Sequence, residues 1–280
     1  MHYKLPMDSP DPPAASRTWA AVVGGLVVAG TAVGRAARWV GRSTAEQYNA
    51  IDPDLRKHFA QLPALGITQL LPVERVPVAK PDDGARPVLF VHGLGGTAGN
   101  FTPMRAWFRL HGRTRTYSVP VPNEDTLDAM AAAVCRYVDT IYDVNQLDPT
   151  SQIDVVAHSM GGVIARLALL DPAFASRVHT LVTLGSPHAG TWLARYASTP
   201  RTIALRPASP EVARLEAQEP WTGPVRLVCF WSSADMMLLP PSAACVAGAE
   251  NIEVREHGHN GYLLHPRAWT AVMHAIAPGR

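Results

Sequence analysis

The chain has 280 residues, 47% of them hydrophobic and 17% charged, with a formal net charge of only +2. That is enough apolar material for one large core, and the length alone would permit two domains. No lysine- or arginine-rich block of the nucleic-acid-binding type occurs, so no nucleic-acid partner is expected. Cys135, Cys229 and Cys245 are too few and too scattered for a disulfide framework or a zinc site. Buried thiols are the expectation, and a Cys229–Cys245 bridge stays open if the chain meets an oxidising compartment.

Residues 1–18 are rich in proline and small residues around 6–16 and read as disordered. Trp19 to Gly34 carries no charge and lies between Arg17 and Arg35. Three readings of 19–42 stay open: a membrane-associating helix, a signal peptide with a passable Ala32-Val33-Gly34 cleavage site, or a Gly/Ala-rich helix packed on the domain. Arg35, Arg38 and Arg42 follow the run, and by the positive-inside rule they favour an anchored chain whose C-terminal side is cytoplasmic. Secretion or a periplasmic location after cleavage is the alternative. Residues 43–85 read as linker and leading elements. Ser43-x-x-Glu46 resembles a capping box, a short helix should end before Pro53, and 72–85 should supply a leading strand and a turn at Asp82-Asp83-Gly84.

From Arg86 onward apolar runs alternate with amphipathic segments. Strands are expected at Pro87–Val91, Tyr117–Val119, Ile153–Val156, Val178–Leu184, Val225–Trp231 and Ile252–Val254. A helix should open at Thr102-Pro103, with Thr102 as its cap, and end at Gly112. A second carries Leu127, Met130, Val134, Val138 and Ile141 at helical spacing, and a closing helix carries Trp269, Val272, Met273 and Ile276. Arg105, Arg109, Arg113 and Arg115 read as a solvated face. The alternation argues for an α/β layer fold with a mostly parallel sheet, whose ligands sit beyond the carboxyl ends of the strands.

Chemistry-bearing residues fall at those ends. Ala157-His158-Ser159-Met160-Gly161-Gly162 joins a strand to a helix, and a tight elbow there needs small residues two before and two after the serine. Such an elbow exposes the Ser159 hydroxyl to a base. His92-Gly93-Leu94-Gly95-Gly96 follows the first strand, so the Leu94 and Met160 N–H groups could together hold an oxyanion. No Gly-Lys-Ser/Thr follows, which argues against a nucleotide P-loop. Asp235 lies just beyond Val225–Trp231, where an acid belongs. His259 lies beyond the next strand, where the base belongs, with His257 as the alternative. Asp154 reads as structural.

The segments Val91–Gly96, Ala157–Gly162, Leu184–Thr191, Asp235 with Pro240, and Gly258-His259 occur in this order over residues 86–280. Together they resemble a bacterial lipase/esterase of the α/β-hydrolase superfamily. Alanine at 157, where most members have glycine, is similar to a group of small bacterial lipases. The resemblance implies an α/β-hydrolase fold with helices on both faces of the sheet and a small cap at 189–224. It also implies ester hydrolysis by Ser159, His259 and Asp235 with Leu94 and Met160 as oxyanion donors, with no metal or organic cofactor. His92, Gly93, His158, His188 and Trp192 are the expected substrate-site residues. The expected substrate is an apolar acyl ester at or near a membrane surface. A thioester or polyester, or a non-catalytic membrane-tethered binding protein, are the competing readings.

Overall fold

A computed structural model describes residues 53–124, 126–255 and 257–277. The apolar run at 19–34 and the capping-box segment at 43–46 lie outside the described residues. Among the described residues no helix is long and apolar enough to cross a membrane.

Six parallel strands form the sheet: β1 (Val88–Val91), β2 (Thr116–Val119), β3 (Ile153–His158), β4 (Val178–Leu184), β5 (Arg226–Trp231) and β6 (Glu250–Glu253). Their spatial order is β2-β1-β3-β4-β5-β6. The six strands expected from Arg86 onward are all present, with ends shifted by at most two residues.

Both sheet faces are covered, so the central strands are continuous apolar runs rather than alternating ones. Successive side chains still point to opposite faces. Leu89, Val91, Val155, Ala157, Leu181 and Leu227 pack into one core, against α3 (Leu127–Asn145) and α4 (Met160–Ala168). Val88, Phe90, Val156, Val182, Val228 and Phe230 pack into the other. There they meet α2 (Thr102–Leu110) and the terminal helix Pro266–Ala275. Phe90 touches Phe101 and Phe108 at ring separations of 4.9 and 5.6 Å. Each such ring contributes roughly 1.5–3 kcal/mol by leaving water.

Several expectations need correction. A helix, α1 (Pro53–Gln69), occupies much of the supposed linker. Residues 72–85 form no strand; they run irregularly and are tied down by side chains. Lys80 Nζ donates to Glu74 and to the Thr116 carbonyl, and Asp82 accepts from the Gly84 N–H in the expected turn. Thr102 caps nothing, because a 3-10 turn (Ala98–Phe101) runs straight into α2. The arginines are not one solvated face. Arg105 is half-buried against Thr116 and Glu74, Arg113 lies 3.9 Å from buried Asp154, and Arg115 pairs with Asp82; only Arg109 is exposed. Asp154 is anchored by Arg86 at 3.1 Å, and burial raises its pKa despite that pairing. All three cysteines are free thiols, Cys229 buried and the other two half-buried. Burial pushes the Cys229 thiol up to about 12.

Candidate active site

The carboxyl ends of five strands converge on one edge of the sheet. At the end of β3 the chain turns sharply into α4. Ser159 sits on the turn with φ 56° and ψ −130°, a conformation that L residues rarely adopt. Packing explains why its neighbours are small. A Cβ on Gly161 would lie 2.4 Å from the Val91 carbonyl oxygen, and one on Gly162 would lie 2.1 Å from Ser186 Oγ. The Ser159 N–H donates to the Leu184 carbonyl at 2.9 Å, which fixes the elbow to the end of β4.

His259 reaches the serine from the loop after β6. Its Nε2 is 2.9 Å from Ser159 Oγ, and its Nδ1 is 2.9 and 3.1 Å from the two oxygens of Asp235. Asp235 is 1% exposed and also accepts from the Met237 N–H, so its carboxylate is held at several points. Since Asp235 accepts at Nδ1, that nitrogen carries the proton and Nε2 is the lone-pair acceptor facing Ser159. The alternative base, His257, is buried two residues earlier with its ring 4.6 Å from that of His265.

Beside the elbow lies the glycine loop after β1. Gly96 N–H donates to the Gly93 carbonyl, with Gly95 at φ +67°, the pattern of a type II turn over Leu94-Gly95. Gly93 is pressed on the elbow: a Cβ there would lie 2.7 Å from Ser159 Cβ and 3.3 Å from the Met160 nitrogen. Leu94 and Met160, the second at the first position of α4, are therefore near neighbours.

The histidines proposed for substrate are placed differently. His158 is buried, and its Nε2–H donates 2.9 Å to the His259 carbonyl. Burial first, then His259, hold its pKa down at about 3, so it is neutral. It faces the loop that carries His259 rather than open space. His188 is fully buried, with Nε2 3.0 Å from Thr183 Oγ1, and burial pushes its pKa well below the usual value. That enclosure leaves it no open face toward a substrate. His92 Nδ1 bonds the Gly93 carbonyl at 3.1 Å, inside its own loop, and burial lowers its pKa. Trp192 is half-buried, with the Arg195 guanidinium 3.9 Å over its ring. The Trp192 backbone N–H donates to the Leu239 carbonyl, and Leu193 packs on Met237 and Leu239. Residues 189–224 form short turns around this point, and Leu205, Val212 and Leu215 are buried. Among the described residues no group of three His, Cys, Asp or Glu side chains is placed to hold a metal ion.

Gly185, just past β4, was not singled out. It has φ +53°, and a Cβ there would lie 2.7 Å from Asp235 Oδ2, 2.8 Å from the Tyr262 ring and 3.4 Å from His259 Nδ1. Its position right after a buried strand was the available signal.

Comparison with solved structures decides the architecture. Aspergillus fumigatus lipase B superposes with a TM-score of 0.61 over 73% of this chain and 56% of that one, at 18% identity. Mature Bacillus licheniformis lipase BlEst2 gives 0.58 over 71% and 94%, at 16% identity. The chain has the α/β-hydrolase fold. Within this α/β-hydrolase fold, residues 124–199 match the family model of the PGAP1-like alpha/beta domain. A GPI inositol-deacylase of Neurospora crassa is 43% identical over 63 residues, 19% of this chain and 5% of that protein. The palmitoyl-protein thioesterase-dolichyl pyrophosphate phosphatase fusion 1 of Schizosaccharomyces pombe is 30% identical over 119 residues, 39% and 19%. The matched stretches thus span a small part of these curated relatives.

Proposed function

We propose that this chain is a serine hydrolase that cleaves an apolar acyl group from an ester. The observation that carries the reading is the unbroken contact from Ser159 Oγ through His259 to the buried Asp235, with both bonds near 2.9 Å. His259 Nε2 takes the Ser159 proton as Oγ attacks the ester carbonyl. Asp235 keeps the imidazole in the required tautomer and offsets its positive charge. The Leu94 and Met160 N–H groups receive the carbonyl oxygen as it becomes an oxyanion, and removing one such donor typically costs about 2.7–4 kcal/mol of transition-state stabilisation. His259 then protonates the leaving alcohol, and water, deprotonated by the same nitrogen, releases the acid from Ser159.

The substrate reading draws on the relatives' names. One matched relative is named a GPI inositol-deacylase and another, in part, a palmitoyl-protein thioesterase, and both names describe removal of an acyl group. The first supports removal of an acyl group, and the second favours a thioester as the runner-up. Residues 86–280 would form the catalytic unit, with 189–224 as its cap, and residues 19–42 would supply the membrane association.

The test uses the full chain with p-nitrophenyl butyrate, p-nitrophenyl palmitate and palmitoyl-coenzyme A. Turnover that disappears in Ser159→Ala, together with fluorophosphonate labelling of wild type alone, supports the reading. A folded wild type that neither turns over nor labels sinks it, and the non-catalytic binding reading then takes its place.

A further inference from the structure

We propose that helix α1 is a clamp on the two loops of the candidate site, with Gln69 as a positioning residue for the oxyanion turn. The loop 93–96 holds three glycines, which leaves its backbone free to wander unless something fixes it. An oxyanion site works only when its donors are aimed before charge develops. Gln69 Nε2–H donates 2.9 Å to the Gly95 carbonyl, two peptides beyond the Leu94 N–H. The same helical turn is sealed to the segment that follows. Asn100 Nδ2–H donates 2.8 Å to Thr68 Oγ1, while Asn100 Oδ1 accepts 2.6 Å from the Thr97 N–H. The approach is close enough that a Cβ on Gly99 would lie 2.4 Å from the Thr68 carbonyl oxygen.

The middle of α1 meets the histidine loop. The Gln61 amide rests on the glycines that flank His259: a Cβ on Gly258 would lie 3.9 Å from Gln61 Oε1, and one on Gly261 3.4 Å from Gln61 Nε2. Between Gln61 and Gln69, Leu65 packs on the core that contains Phe101 and Tyr262. One helix thus touches both the glycine loop and the histidine loop, and ties them to one element. Rigid elements position a site more closely than loops alone.

The rate arm of the test rests on the serine-hydrolase reading; the exchange arm does not. In the full chain, Gln69→Met keeps side-chain length and removes the donor, and Gln69→Lys restores an N–H donor. Amide hydrogen exchange of the 92–101 peptide should quicken in Gln69→Met and return toward wild type in Gln69→Lys. The kcat on p-nitrophenyl butyrate should fall roughly 3- to 10-fold, the kinetic equivalent of one neutral hydrogen bond, with KM within about 2-fold. Lysine should restore it. Unchanged exchange overturns the clamp. Faster exchange with unchanged kcat overturns the positioning role, as does a rate loss that follows the melting temperature and is not restored by lysine. A wild type that neither hydrolyses esters nor labels with a fluorophosphonate defeats the hydrolase reading, and with it the positioning role of Gln69. The exchange arm still decides the clamp.

Discussion

Replacing His158 with phenylalanine isolates one hydrogen bond and one proton. A phenyl ring keeps the flat body that lies 4.7 Å from the His259 ring and 6.3 Å from the Tyr262 ring, and loses the donor to the His259 carbonyl. Two effects of opposite sign follow. At pH 8 the variant leaves a buried carbonyl unpaired, which costs about 1–3 kcal/mol. Below pH 6.5 the wild type carries a cost that the variant lacks. Unfolded His158 binds a proton at its ordinary pKa, whereas folded His158 stays neutral down to about pH 3. The unfolded state therefore gains about 1.4 kcal/mol per pH unit across that window, or about 2 kcal/mol at pH 5. The stability tied to a neutral His158 is complete above pH 6.5 and is lost as pH falls toward 3. Urea unfolding at pH 8 should show the variant weaker, and the two proteins should converge by pH 5. Buried His92 and His188 are present in both proteins and cancel in the difference. Stability curves that stay parallel from pH 8 to 5 would refute the reasoning, because they would mean that His158 is not an enclosed neutral ring.

Gly185→Ala places a Cβ 2.7 Å from Asp235 Oδ2 at a positive φ, so kcat on p-nitrophenyl butyrate should drop about 100-fold and unfolding free energy by about 2 kcal/mol. Unchanged kinetics would show that the aspartate tolerates displacement. Asp235→Asn preserves shape but not the tautomer-setting charge, so kcat should fall about 10⁴-fold, and a loss under about 10-fold would remove Asp235 from the mechanism. Truncating Trp192 and Leu193 to alanine should raise KM for p-nitrophenyl palmitate several-fold more than for the butyrate; equal effects would place the acyl chain elsewhere.

The strands were legible because their apolar runs are long and bounded by loops, and the order of Ser159, Asp235 and His259 followed from placing those residues beyond strand ends. Helix α1 was not legible, for a physical reason. It contains Pro63 inside, and its stability comes from seating on the 3-10 turn and on residues 261–264 rather than from its own pattern. The supposed strand at 72–85 failed the opposite way. Its valines at 73, 76 and 78 lie among charges and a proline, yet Val76 and Val78 are 65% and 53% exposed, and Lys80 places its ammonium on Glu74 and Thr116. His158 was expected to line the substrate site, whereas its hydrogen-bond partner is 101 residues distant in sequence. No local pattern could have turned it toward the base loop.

What unites the elbow, the glycine loop after β1 and the His259–Asp235 pair is close backbone approach at the carboxyl edge of the sheet. Gly93, Gly161 and Gly185 follow three different strand ends, and a Cβ on each would fall within 2.7 Å of a neighbour: Ser159 Cβ, the Val91 carbonyl oxygen and Asp235 Oδ2 respectively. The Ser159–His259–Asp235 geometry is therefore a consequence of how tightly these strand ends pack, and not of side-chain choice alone. Parallel pairing sets that packing, since Val91 is in register with Ala157 and Ala157 with Thr183. A slip of one residue at β1 or β4 would turn the donor loop or Gly185 away from the serine and invert every core-facing side chain on that strand. The buried pattern that selects the fold thereby also selects the register of the chemistry.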